Sequence, residues 1–116
     1  MNSMDIRPFI PAVDFEASKL FYQALGFTSD DATDDLTIIS SGSCSFFLYK
    51  YDEEKLENNF MLQLAVPNID DALESIKKAE GFNTRYEGIT EERWGKVIYL
   101  WGPSGELWHV TEHASE

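Results

Sequence analysis

The side chains able to do chemistry are few in this chain. It has two histidines, His109 and His113, and one cysteine, Cys44. The serines around Cys44 lie in no Gly-x-Ser-x-Gly elbow, and no glycine-rich loop followed by lysine could hold a phosphate. Adjacent Glu91 and Glu92 are typical of a solvated loop and not of an acid–base pair. The residue types and their spacing therefore predict no catalytic centre.

Two of these residues lie in apolar stretches. We expect His109 to be a hydrogen-bonded histidine of a core or cleft, because its strand is otherwise apolar. Cys44 has no second cysteine for an intramolecular disulfide, and its apolar neighbours predict a buried, inert thiol.

Composition predicts one domain over residues 1–116. The 116 residues are 43% hydrophobic and 14% aromatic, which is enough for one core that two halves share. No apolar run is long enough for a membrane helix and no signal peptide is recognisable, so we expect a cytoplasmic protein without a membrane partner.

The charge of the chain narrows the class of partner. Asp and Glu number 21 against 9 Lys and Arg, a net charge of −12 that repels nucleic acid and attracts cations. Acidic clusters at 30–35 and 52–54 fit solvated loops, or an acidic groove for a basic ligand. Nucleic acid is therefore not an expected partner.

The sequence repeats one pattern twice. Asp14 and Asn68 each precede a helical stretch, and Gly26-Phe27 and Gly81-Phe82 end the two stretches. The pattern predicts an α+β fold of two tandem βαβββ modules, at about 5–51 and 60–112, joined by a linker at 52–59. Their strands form a curved, incompletely closed mixed sheet with the helices on its outer face. The predicted helices are 14–25 and 69–79, and the predicted strands are 5–13, 27–30, 35–40, 44–50, 60–66, 83–88, 96–101 and 107–112.

Alternation along these strands assigns one face to the helices and the other to a cleft. The first helix should turn Ala17, Leu20, Phe21, Ala24 and Leu25 inward, and Trp108 should lie on the helix side of the last strand. The cleft side then carries rings, a methionine and polar groups, which suits a flat organic ligand. Its members by this rule include Phe47, Met61, Tyr99, Trp101 and His109. The same side chains could instead fill a closed barrel.

The helix at 14–27, with its Leu-Gly-Phe ending, resembles the first helix of the vicinal oxygen chelate superfamily. That superfamily includes glyoxalase I, extradiol dioxygenases and bleomycin resistance proteins. Residues 102–108, Gly-Pro-Ser-Gly-Glu-Leu-Trp, resemble its Asp-Pro-Asp-Gly-Asn turn, with Gly102 in place of the opening Asp. The resemblance covers nearly the whole chain and implies the same fold.

Catalytic members of this superfamily hold a divalent metal with side chains of four strands, and the resemblance places those slots at Arg7, Phe47, Met61 and His109. A guanidinium has no lone pair to donate, and a thioether is too soft for the usual ions. Only His109 could coordinate, so no metal, no cofactor and no enzymatic turnover are expected.

Within the superfamily, Glu-Glu-Arg-Trp-Gly at 91–95 and His-Val-Thr-Glu at 109–112 resemble bleomycin resistance proteins, which sequester a drug. The resemblance implies that Trp94, Gly95 and His109 bind the ligand, to which strand geometry adds Phe47, Met61, Tyr99 and Trp101. It also implies a homodimer with exchange of the N-terminal strand near Pro8. We therefore expect a metal-free binding protein for a planar, cationic ligand such as a bleomycin, in an aromatic, acidic cleft. A metal-dependent glyoxalase-type lyase, isomerase or dioxygenase and a dimeric module without a small ligand are the alternatives.

Overall fold

The computed structural model describes residues 1–51, 60–82 and 84–114, so the expected linker at 52–59 lies outside the described residues. Module one contains one helix and four strands. These are β1 (Phe9–Ala12), α1 (Phe15–Ala24), β2 (Thr28–Thr33), β3 (Leu36–Ser41) and β4 (Cys44–Lys50).

Module two repeats this order with one extra short strand. It contains β5 (Met61–Ala65), α2 (Ile69–Lys77), β6 (Arg85–Tyr86), β7 (Thr90–Glu92), β8 (Gly95–Trp101) and β9 (Leu107–His113). The sequence did not predict β7, which pairs with β8 next to the turn at 93–94. No helix of the described residues is long and apolar enough to cross a membrane.

Each module forms its own mixed sheet with the same topology. The strand orders are β1-β4-β3-β2 and β5-β9-β8-β6, with β7 also on β8. In both modules the first and last strands are parallel neighbours, and the helix between the first two strands covers one face. The predicted α+β class and the open, curved arrangement with helices outside are confirmed.

The two residues predicted to precede the helices make the hydrogen bonds expected of helix N-caps. The Oδ1 atoms of Asp14 and Asn68 accept hydrogen bonds from the backbone of Ala17 and Asp71, at 3.1 and 2.9 Å. The predicted helix starts are therefore confirmed.

The buried face of α1 agrees with the prediction at Phe21, Ala24 and Leu25 and differs from it at Leu20. Phe15, Ser18, Phe21 and Tyr22 are buried, whereas Leu20 is 49% exposed. The helix is rotated toward Tyr22 because the hydroxyl of that residue has hydrogen-bond partners in module two.

Two further expectations need correction. The first strand begins at Phe9 and not at residue 5, since Pro8 has no N–H for the ladder and only its carbonyl bonds with Phe47. Cys44 is exposed and not buried, because it begins β4 directly after the hairpin turn at Gly42, at the end of the sheet.

Candidate functional site

The face of the module-two sheet that lies away from α2 carries the larger set of candidate residues. Strand register places them in two rows across neighbouring strands. One row pairs His109 with Tyr99 on one side and Gln63 on the other. The next row is Arg85, Trp101, Leu107 and Met61. Three of the predicted residues, Tyr99, Trp101 and His109, are therefore brought to one surface, with Met61 at its exposed edge.

His109 and Tyr99 form the centre of this face. Their rings meet edge to face, with centroids 5.0 Å apart and an interplanar angle of 78°. The His109 Nε2 atom is buried and has no hydrogen-bond partner in the part of the chain that the structure describes. A buried polar atom without a partner is costly, so a ligand or a partner chain that supplied a hydrogen bond here would be favoured.

Trp101 is covered on one side by a cation. The Arg85 guanidinium carbon lies 3.7 Å from the Trp101 ring centroid, within the range of a cation–π contact. The Thr84 hydroxyl donates a hydrogen bond to the Trp101 carbonyl oxygen, which fixes the chain next to that ring. A ligand can therefore reach only the part of Trp101 that Arg85 leaves open.

Module one presents a separate aromatic face around Phe47. Phe9 stacks on Phe47 with ring centroids 4.6 Å apart, and Tyr49 meets Phe9 edge to face at 6.2 Å. The Arg7 guanidinium lies 5.8 Å from the Phe47 centroid, and its Nε is 2.7 Å from a carboxylate oxygen of Asp5. Phe47 therefore belongs to a ring cluster on a different sheet from Tyr99, Trp101 and His109.

Trp94 lies at the far end of β8 from Trp101. It precedes the first residue of β8, Trp101 is the last, and the strand between them spans about 20 Å at ~3.4 Å per residue. Trp94 is 52% exposed in the turn before the strand. Trp94 and Trp101 of one chain therefore do not enclose the same small ring.

Gly95 has a steric role in the pairing of β8 with β9. Its φ is +150°, and a Cβ at this position would lie 2.2 Å from the Glu112 carbonyl oxygen and 3.0 Å from the His113 Cα. Glu112 in turn accepts a hydrogen bond from the Ile69 N–H at the start of α2, at 2.9 Å. Glycine is required here by the close approach of two backbones.

The residues at the expected metal slots do not fit a divalent ion. His109 lies opposite Gln63, and Phe47 lies opposite Phe9. Met61 and Arg7 are therefore each two residues before the position that pairs with His109 or with Phe47. Among residues 1–51, 60–82 and 84–114, no three His, Cys, Asp or Glu side chains are grouped in a way that could hold a metal. The pair of His109 and Gln63 falls short of the three protein ligands that a catalytic site needs.

A buried hydrogen-bond network, which the sequence did not predict, connects the two modules. The Tyr22 hydroxyl of α1 donates to Glu106 Oε2 at 2.8 Å and accepts from Trp108 Nε1 at 3.0 Å. Glu106 Oε1 accepts from the Ser104 N–H, and the Ser104 hydroxyl accepts from the Val13 N–H. The turn at 102–105 is therefore bonded to the end of β1 and to α1.

Burial changes the acidity of this network. Desolvation raises the pKa of Glu106, against the opposing effect of the hydrogen bonds it accepts from Tyr22 and Ser104. Burial and the neighbouring Glu106 carboxylate also raise the pKa of Tyr22 well above its usual value. Glu106 is 3% exposed, so its ionised form loses most of its hydration.

The pH dependence of stability should therefore change in Glu106→Gln. Because folding raises the pKa of Glu106, its contribution to the free energy of unfolding is fully present below about pH 4.5 and is lost as pH rises through the folded-state pKa. Glutamine does not titrate, so the variant should gain stability relative to the parent as pH rises above 4.5. Denaturant melts at several pH values measure the difference, and a difference that stays constant or moves the other way contradicts the prediction.

No protein-family model matches the chain, and comparison with curated protein sequences gives no match. Solved structures match over almost the whole chain. A bleomycin resistance determinant encoded on the transposon Tn5 superposes with a TM-score of 0.81 at 19% identity, covering 97% of this chain and 100% of that one.

Two further structures share the architecture. The bleomycin-binding protein from Streptomyces verticillus, complexed with copper(II)-bleomycin, superposes with a TM-score of 0.79 at 18% identity, covering 98% of this chain and 99% of that one. A glyoxalase/bleomycin resistance protein/dioxygenase from Nocardioides superposes with a TM-score of 0.75 at 19% identity, covering 99% and 87%. The chain has the fold of bleomycin-binding proteins, and the resemblance read from the sequence is confirmed at the level of the fold.

Proposed function

We propose that this protein binds and sequesters a planar organic ligand of the bleomycin type in the cytoplasm, without metal and without turnover. The observation that carries the proposal is the pair of ring-bearing sheet faces, around Phe47 in module one and around Tyr99 and His109 in module two, within a fold shared with bleomycin-binding proteins. Aromatic side chains bind flat heteroaromatic groups by stacking and area burial.

The proposal places the ligand between two copies of the chain. Phe9, Met61 and Trp94 are exposed in one copy, and a homodimer would cover such side chains while it closes a cleft. Exchange of the N-terminal segment near Pro8 is part of this proposal, since residues 1–8 are exposed and lie outside the strands.

Acidic side chains favour a cationic group on the ligand at the module-one face. Asp30 on β2 pairs with Ile38, which in turn pairs with Phe47, so Asp30 points to the same side of the sheet as the Phe47 ring. A shallow depression beside Phe9 and Tyr49 is lined by both Asp35 and Lys50, so Asp30 is the acidic group on which this expectation depends. The attraction is screened by salt.

Titration with bleomycin tests the proposal, with Trp94→Ala as the informative variant. Bleomycin should quench tryptophan fluorescence of the parent, more weakly at higher salt, and Trp94→Ala should lower the affinity by about 1–3 kcal/mol, the range for a stacked aromatic anchor. The matched control is Leu20→Ala, which removes another exposed apolar side chain from the outer surface of α1.

Four outcomes would contradict parts of this proposal. Absence of binding to the folded parent removes bleomycin, and full affinity in Trp94→Ala removes the role of that ring. Stoichiometric metal in the purified protein favours the glyoxalase-type alternative. Sedimentation at micromolar concentration should give the mass of a dimer, and a monomer would contradict the two-copy cleft.

A further inference from the structure

The four main strands of module two bring a cation and no carboxylate to the candidate face, although the chain is strongly acidic. The net charge is −12. Alternation and register place no carboxylate from β5, β6, β8 or β9 on this face, and Arg85 is the one formally charged residue that these four strands contribute to it. Glu92 of the short strand β7 pairs with Gly95 and lies on this side at the other end of β8. Glu87, two residues after Arg85, donates its backbone N–H to the Tyr99 carbonyl oxygen at 3.0 Å, so alternation puts its side chain on the same side as Arg85, in the Tyr99 row. It makes no ion pair with Arg85.

Arg85 is held in place but is not neutralised. Its guanidinium lies over the Trp101 ring at 3.7 Å, and it makes no ion pair with any residue in 1–51, 60–82 or 84–114. Arg85 itself is exposed. Stacking on a ring limits the motion of a guanidinium and leaves the N–H groups at its edge free to donate hydrogen bonds. Two of these parallel N–H groups match the spacing of the two oxygens of a carboxylate.

The neighbouring row offers a platform for an aromatic ring. Tyr99 precedes Trp101 by two residues on the same strand, so the two rows are about 7 Å apart at ~3.4 Å per residue. His109 contacts Tyr99 in that row and has the unpartnered Nε2. A flat bicyclic ring on Tyr99 would place an attached acidic group within reach of Arg85.

We propose that Arg85, stacked on Trp101, determines ligand specificity by binding a carboxylate attached to a planar aromatic ring that packs on Tyr99. The inference rests on the proposed function, because it names the ligand class for the module-two side of the same cleft. It also makes the cleft bipolar, with cation recognition near Asp30 of module one and anion recognition at Arg85.

Two probes with the same ring separate the charge from the stacking. Isothermal titration compares 2-naphthoate with neutral 2-naphthamide at neutral pH and moderate salt. The parent should bind naphthoate about tenfold or more tightly than naphthamide, in line with a charge-assisted hydrogen-bond pair. Arg85→Met should abolish this preference, Arg85→Lys should keep only part of it, and Glu87→Gln should keep or strengthen it.

The control variant is Lys78→Met, which removes one positive charge from the end of α2, on the other side of the sheet. It should leave the preference for naphthoate unchanged. The inference is overturned if the parent binds the two probes equally or binds neither. It is also overturned if folded Arg85→Met keeps the preference for naphthoate. A changed sedimenting mass of Arg85→Met would overturn it too, because the guanidinium would then serve a contact between subunits.

The outcome with bleomycin is independent of this result. If bleomycin does not bind but naphthoate binds through Arg85, the proposed drug is wrong and the role of Arg85 stands. If bleomycin binds and the naphthoate preference is absent, the proposed function stands and the role of Arg85 is overturned.

Discussion

Trp108→Ala should lower the free energy of unfolding by about 3–5 kcal/mol, the range for truncating a large buried aromatic side chain. Trp108 is 5% exposed and lies on the helix side of β9, as the sequence predicted. Its ring packs against Phe46 and Tyr22 at centroid distances of 5.5 and 6.1 Å. The variant also leaves the Tyr22 hydroxyl without the N–H that donates to it.

Chemical denaturation followed by circular dichroism measures this loss. Trp94→Ala is the matched control because it removes the same side chain from an exposed turn, and its stability should stay within about 0.5 kcal/mol of the parent. Similar losses in the two variants would show that Trp108 is not the core residue that its contacts indicate.

Gly95→Ala should destabilise the protein by about 3 kcal/mol, the sum of steric overpacking and backbone strain. The added Cβ would lie 2.2 Å from the Glu112 carbonyl oxygen, an atom of the paired strand that cannot move without breaking the ladder of β8 and β9. Displacement of Glu112 would also weaken its hydrogen bond to Ile69 at the start of α2.

The same denaturation measurement tests this variant against Gly88→Ala. A Cβ on Gly88 would meet nothing within 4 Å, and its φ is not in the left-handed range. Gly88→Ala should therefore be neutral or slightly stabilising, by up to about 1 kcal/mol. A Gly95→Ala protein as stable as Gly88→Ala would contradict the close approach of the two strands.

Local signals in the sequence were enough to predict the repeated architecture. The predictions of helix starts at Asp14 and Asn68 use only residues a few positions apart. The same is true of the alternation that predicts β4, β8 and β9. The partners of Tyr22 lie 84 and 86 residues further along, so no local pattern could show that its hydroxyl is buried. For the same reason periodicity placed Leu20 on the inward face of α1, although it is 49% exposed, and did not include Tyr22 in that face.

Gly102 stands where the turn of the resembled superfamily opens with Asp, and the structure explains this difference. A Cβ at Gly102 would lie 2.4 Å from the Glu106 carboxyl carbon, so the buried carboxylate fills the space that a side chain at 102 would need. Glu106 Oε1 accepts from the Ser104 N–H, the bond that an opening Asp of such a turn can make. The missing side chain at Gly102 thus leaves room for the Glu106 carboxylate.

The parallel pairing of the first and last strand in each module sets an order of assembly. The module-one sheet can close once Lys50 has been synthesised, because β4 is the partner of β1. In module two, β5 has no partner until β9 has been made, as far as His113. We therefore expect module one to complete its sheet while the second is still being translated, and the Tyr22–Glu106 hydrogen bond to join the two halves only at the end of synthesis.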